Sequence, residues 1–375
     1  MRWAVTASAY AFDPELAQAL RTRCAGRGIA FILSARTRPL DSDHPTARLL
    51  ASNSGREGLV VADELLIFDR ALACVADHAS RHQDWCTSRT SSSWSTDDVE
   101  AGGALSELEA FGTLLEIFPE CAPTVPRREQ TPDFAVPGAF ALEVYRPRES
   151  TTNRDAVAAD LAAQTGMVRI AVSYPITGPG EGSLAYPASK VVDRIVNAKR
   201  TSRQIDPHLP NILYVDARHE WGLATEDLLP FRTTYSQGEH WIGTFGAWHA
   251  FYGVLGKRTM LRDRAALRYL RRCDAHEQKR NGLFREADHW SAALLAVRDG
   301  LVLFENPWAR RRLDEATVRA LLQLHRLRPE CSWYCAGRSR QDLERDIEQT
   351  LARMEWSFRG NNEEGEQPAQ AGTGD

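Results

Sequence analysis

Thr131-Pro132-Asp133-Phe134-Ala135-Val136, then Pro137-Gly138, then Ala139-Phe140-Ala141-Leu142-Glu143-Val144-Tyr145, is the stretch on which the fold turns. Two β-prone runs flank a Pro-Gly pair, a pattern that predicts two strands joined by a tight turn. Asp133 opens the first strand and Glu143 lies in the returning one, so both carboxylates can reach the same sheet edge. Residues two apart share a strand face. That places Glu143 with Tyr145 on one side and Leu142 with Val144 on the other.

Working outward, Leu105, Leu108, Phe111, Leu115 and Phe118 recur at helical spacing before Pro119, with Ser106 as a candidate cap. This helix offers Glu107 beside its apolar stripe. Downstream, a helix is expected from about Ser189 to Gln204, followed by a buried strand at Asn211-Ile212-Leu213-Tyr214-Val215-Asp216. Two or three carboxylates converging on one spot repel unless a cation neutralises them. An all-oxygen set of this kind suits Mg²⁺ or Mn²⁺. A metal so held can activate water and stabilise charge on a phosphodiester.

Glu107 on a helix, Pro132-Asp133, and Glu143 in the following strand resemble the PD-(D/E)xK nuclease superfamily. The resemblance covers roughly residues 105–218 and implies a restriction-endonuclease-like core, a mixed sheet flanked by helices. It implies that Asp133 and Glu143 bind the metal and that Glu107 assists. The pattern asks for lysine two residues after the second carboxylate, where it would orient the attacking water, and this chain has Tyr145. A phenol can hydrogen-bond but supplies no positive charge. In some members of the superfamily the lysine sits on a neighbouring element. Only four lysines stand among the 46 basic residues, Lys190, Lys199, Lys257 and Lys279, so this block has two candidates. Lys199 is favoured, being mid-helix and close to Gln204, which is expected to help position phosphate. Lys190 stands at the helix start.

Composition narrows the remaining classes. The chain is 43% hydrophobic and 26% charged, as in an ordinary globular protein, and its 375 residues suffice for two or three domains. The net charge of −4 is carried by Glu363, Glu364, Glu366 and Asp375 in the last fifteen residues. Residues 1–360 are neutral overall, so no whole-protein field argues for nucleic acid or membrane. No apolar run approaches the length of a membrane span. Seven cysteines without a CxxC pair read as reduced thiols of a cytoplasmic protein.

Residues 1–86 read as an N-terminal α/β or helical region. A helix is expected from Asp13 to Gly26, a strand at Gly28–Ser34 and a helix from Asp63 to His82. Ser/Thr/Asp/Gly-rich 87–103 reads as a linker, 104–218 as the nuclease-like core, 219–358 as a C-terminal α+β extension and 359–375 as a disordered acidic tail. The extension holds a hairpin, Ala292–Asn306, turning at Asp299-Gly300, and a last helix over about Arg338–Met354. Its stretch from Trp290 to Ala309 resembles one in uncharacterised bacterial proteins carrying the same core. Lys257–Arg285 has ten Lys or Arg against three acidic residues. Read as a helix, it gathers Arg264, Arg268, Arg271 and Arg272 on one side, suited to phosphates. The aromatics Trp241, Phe245, Trp248, Phe251 and Tyr252 read as packed core before base-stacking residues.

Other motifs are set aside. Tyr186…Lys190 has the YxxxK spacing of short-chain dehydrogenases, but the glycine-rich dinucleotide loop is missing. Gly253…Lys257 has Phe251 where a P-loop needs glycine. His78 and His82 could share a metal, although an exposed helix end accounts for them. The sequence therefore reads as a cytoplasmic, bacterial-type, Mg²⁺- or Mn²⁺-dependent nuclease-like protein whose partner is DNA or RNA. The alternative is a degenerate module of the same fold that binds nucleic acid or a protein partner without cleavage.

Overall fold

A computed structural model describes residues 26–35, 44–51, 62–125, 131–147, 199–201, 204–218, 225–230, 232–237, 240–244, 248–262, 272–278, 280–297 and 299–363. Its centre is a six-stranded mixed sheet in the order β1 (Ala122–Pro123), β2 (Phe134–Val136), β3 (Phe140–Tyr145), β4 (Asn211–Asp216), β9 (Ala292–Val297), β10 (Gly300–Glu305). The hairpins at either edge are antiparallel, whereas β3, β4 and β9 run parallel. A four-stranded antiparallel sheet of β5 (Arg232–Gln237), β6 (His240–Thr244), β8 (Arg272–Glu277) and β7 (Arg258–Arg262) lies apart from it.

The β2–β3 hairpin forms as its sequence dictates. The Ala139 amide donates to the Val136 carbonyl at 3.0 Å across Pro137-Gly138. Gly138 takes φ +73°, the left-handed value a turn with proline second and a positive-φ third residue demands. Strand β4 spans Asn211–Asp216 as expected, and the β9–β10 hairpin turns between Val297 and Gly300, one residue earlier than Asp299-Gly300, with Gly300 already opening β10.

Alternation of the buried strands builds a core on each face. Phe134, Phe140, Leu142, Ile212, Tyr214 and Leu294 pack with α1 (Arg27–Ser34), α3 (Ala62–His78) and α5 (Asp98–Leu115). Leu213, Val215, Ala293, Leu295 and Phe304 face the other way. They meet α6 (Trp248–Tyr252), α7 (Leu283–Glu286) and α9 (Arg340–Glu363). Elements α2 (Pro45–Ala51), α4 (Gln83–Ser92) and α8 (Glu315–Leu321) complete the described helices.

Four expectations are corrected, and with the second of them the cap of α5. Gly28–Ser34 is helical, with Gly28, Ile29, Ile32 and Leu33 as its buried face. A short apolar run does not distinguish strand from buried helix by periodicity, and here the i, i+4 pairing wins. The stretch 87–103 is not a linker: it belongs to α4 and the start of α5, with Thr90, Ser93, Trp94 and Ala101 buried. The cap of α5 is Asp97, whose carboxylate accepts from the Val99 amide at 2.9 Å. Ser106 instead sits mid-helix and donates to the Gly102 carbonyl and to Asp216.

Third, Lys257–Arg285 is not one helix. Its described parts are β7, β8 and the start of α7, and Arg262 lies opposite Cys273, so Arg272 opens a strand. Arg264, Arg268 and Arg271 lie outside the described residues. The helical period read there is local, while cross-strand pairing governs its flanks. Fourth, α9 continues to Glu363, so 359–363 are helical. The expected Asp13–Gly26 helix, Lys190 and residues 364–375 fall outside the description, apart from Gly26 as the N-cap of α1. Among the described residues no helix is long and apolar enough to cross a membrane.

Candidate functional site

Register brings the two strand carboxylates together. Phe134 pairs with Leu142, so Asp133, just before β2, stands opposite Glu143. One Asp133 oxygen, Oδ2, accepts from the Val144 amide at 2.7 Å, which fixes the side chain against β3. Glu143 is 2% exposed and projects to the same face as Tyr145, away from Leu142 and Val144.

Lys199 completes the group. It is 8% exposed, and its Nζ donates to Glu143 Oε1 at 2.8 Å. The same ammonium lies 5.1 Å from the centre of the Tyr145 ring. The Trp290 indole donates to the Lys199 carbonyl at 2.9 Å, tying the lysine backbone to the segment that enters β9. Of the two lysines in this block, Lys199 is joined to the carboxylates and Lys190 lies outside the described residues. Gln204 is half-buried in the loop leading into β4.

Glu107 reaches the group from α5. It opposes an Arg89 guanidinium from α4, with Arg89 Nε 2.7 Å from Glu107 Oε2 in ion-pair contact that lacks hydrogen-bond alignment. Burial, then the nearby Asp133 charge, push the Glu107 carboxyl up to about 7, against the pull of Arg89. Glu143 is pushed up to about 8, again by burial first and Asp133 second, with Lys199 opposing. Burial also raises Asp133, against the Val144 hydrogen bond and the Lys199 charge.

Three carboxylates and two cations therefore meet here. Glu143 Oε2 and Glu107 Oε2 have no hydrogen-bond partner although both are buried. Glu107 Oε2 faces Arg89, whereas the Glu143 Oε2 atom, buried and without a partner, is an oxygen that a hard divalent cation could engage. Among the described residues no three His, Cys, Asp or Glu side chains already stand in a metal-binding array. His78 and His82 are otherwise engaged: His78 Nδ1 lies 2.9 Å from the Cys74 carbonyl, and His82 packs on Phe111.

Arg89 is the residue that sequence reasoning missed. It stands 18 positions before Glu107 in a serine-rich segment, and no local signal pairs them. The reading also missed a second polar cluster on the opposite face. There Arg218 bridges Asp216 at 2.8 Å and Glu109 at 2.7 Å, while the Tyr214 hydroxyl donates to Glu109 at 2.7 Å. Its charges are mutually satisfied, so it serves to join α5 to the end of β4. Trp248, Phe251 and Tyr252 are fully buried core, as read. No family model, curated protein or solved structure matches the chain.

Proposed function

We propose that the Asp133–Glu143–Glu107–Lys199 cluster is a Mg²⁺- or Mn²⁺-dependent site that hydrolyses nucleic-acid phosphodiesters, on a restriction-endonuclease-like core. The observation that carries this reading is the Lys199–Glu143 contact of 2.8 Å. It supplies, from the segment that leads into β4, the cation that Tyr145 withholds. The order of elements supports it too: helix α5, hairpin β2–β3, the turn at Lys199, then β4 parallel to β3.

Asp133 and Glu143 would hold the cation, and Glu107 would assist from α5, where Arg89 now faces it. The bound ion supplies Lewis-acid stabilisation of charge developing on the phosphodiester. Lys199, released in part from Glu143, would orient the attacking water and offset charge on the phosphate oxygens. Gln204 is assigned to phosphate positioning. Tyr145 occupies the slot where the motif has lysine.

A second reading is favoured by the same ion pairs. Lys199 and Arg89 already neutralise two of the three carboxylates, which would suit a module that binds nucleic acid or a protein partner without cleavage. Purified protein incubated with Mg²⁺ or Mn²⁺ separates the two. Nicking of plasmid DNA or cleavage of single-stranded RNA, abolished in Asp133→Ala, supports hydrolysis. Activity unchanged in Asp133→Ala points to a contaminant or another site.

A further inference from the structure

The geometry points to Tyr145 as a positioning residue that holds Lys199 in the site. This rests on the hydrolase reading for its catalytic consequence, while the placement itself stands on separate contacts. Glu143 and Tyr145 leave β3 on the same face, two residues apart. The Lys199 ammonium lies between them, 2.8 Å from Glu143 Oε1 and 5.1 Å from the Tyr145 ring centre. A lysine on a flexible four-carbon stem needs more than one contact to stay in a single geometry.

Here it has three. The Trp290 indole fixes its carbonyl, Glu143 accepts a hydrogen bond from its ammonium, and the electron-rich face of Tyr145 attracts its charge. The next residue, Arg200, pairs with Glu286 on α7, a further tether just after Lys199. Tyr145 is half-buried against the core on that face, which limits the freedom of its ring. The tyrosine in the motif position is thus the partner of the displaced lysine. A lysine at 145 would instead set two ammonium groups against each other beside Glu143.

The contribution comes from the ring face, so Tyr145→Phe should preserve it, whereas Tyr145→Leu and Tyr145→Met should remove it. With only four lysines in the chain, the accessibility of Lys199 can be followed by itself. Limiting acetic anhydride, read by peptide mass spectrometry, should label Lys199 several-fold faster in the Leu and Met variants than in wild type or Phe. Exposed Lys257 is the internal reference, and thermal melts establish that each variant is folded. In cleavage assays with Mg²⁺, kcat should fall roughly tenfold in the Leu and Met variants with KM unchanged, and recover in Phe. Equal labelling of Lys199 across all folded variants would overturn the inference, as would equal loss of kcat in Phe and Leu. If wild type cleaves nothing, the hydrolase reading fails, and the labelling comparison still decides whether Tyr145 positions Lys199.

Discussion

Burial sets the protonation of Glu143 before any ligand arrives. Its carboxyl titrates near 8 in the folded chain, against an ordinary value of 4.5. Between those values the native state binds more protons than the unfolded state. Glu143 therefore contributes stability that is fully present below pH 4.5 and is lost as pH rises through 8. In metal-free buffer, the melting temperature of wild type should fall relative to Glu143→Gln between pH 5.5 and 8.5, and Mg²⁺ should recover it in wild type alone. Parallel curves for the two proteins would contradict this account of the site. Arg89 makes a complementary case. Its side chain is 35% exposed, so losing the pair itself should cost at most about 1 kcal/mol. Cleavage should fall further, because Arg89→Ala leaves Glu107 buried without its counter-ion. Urea unfolding and initial rates, measured together, separate the two effects.

Elements decide which residues could be read in advance. The β2–β3 hairpin was legible because Pro137-Gly138 has one good solution, and alternation then assigns Glu143 to the face opposite Leu142. Asp133, Glu143 and Glu107 were found from the same pattern. The segment around α4 was not, because serine and threonine there satisfy themselves within the helix. Thr90 Oγ1, for example, donates to the Cys86 carbonyl at 2.7 Å. Such residues have turn-like composition wherever they lie, and Arg89 was hidden with them. Close approach of α3 and α5 was equally invisible. A Cβ placed on Gly112 would come within 2.0 Å of the Ala71 carbonyl oxygen, which is backbone and cannot swing aside. Gly112→Ala should therefore destabilise the protein by about 1–3 kcal/mol by forcing the helices apart. Because α5 carries Glu107, cleavage should fall with it. Denaturant melts alongside a rate measurement check this, and an unchanged midpoint would show that the helices separate freely.

For the whole molecule, the sheet buried on both faces explains why the boundaries drawn from composition do not match the architecture. Strands β9 and β10, assigned to a C-terminal extension, complete the sheet begun by β1–β4. Parallel pairing of β4 with β9 joins residues some eighty positions apart, and no local pattern encodes that. If the proposed site engages nucleic acid through phosphate contacts, affinity should fall steeply with salt, log affinity dropping linearly with log salt concentration. A flat dependence in fluorescence anisotropy would favour a protein partner.

The central claim is that the lysine of the motif has moved to position 199. Cleavage rates of wild type, Lys199→Met and Lys190→Met on a single labelled substrate with Mg²⁺ test it directly. The account predicts a loss of about a hundredfold or more in Lys199→Met and near wild-type activity in Lys190→Met. Wild-type activity in Lys199→Met would contradict it.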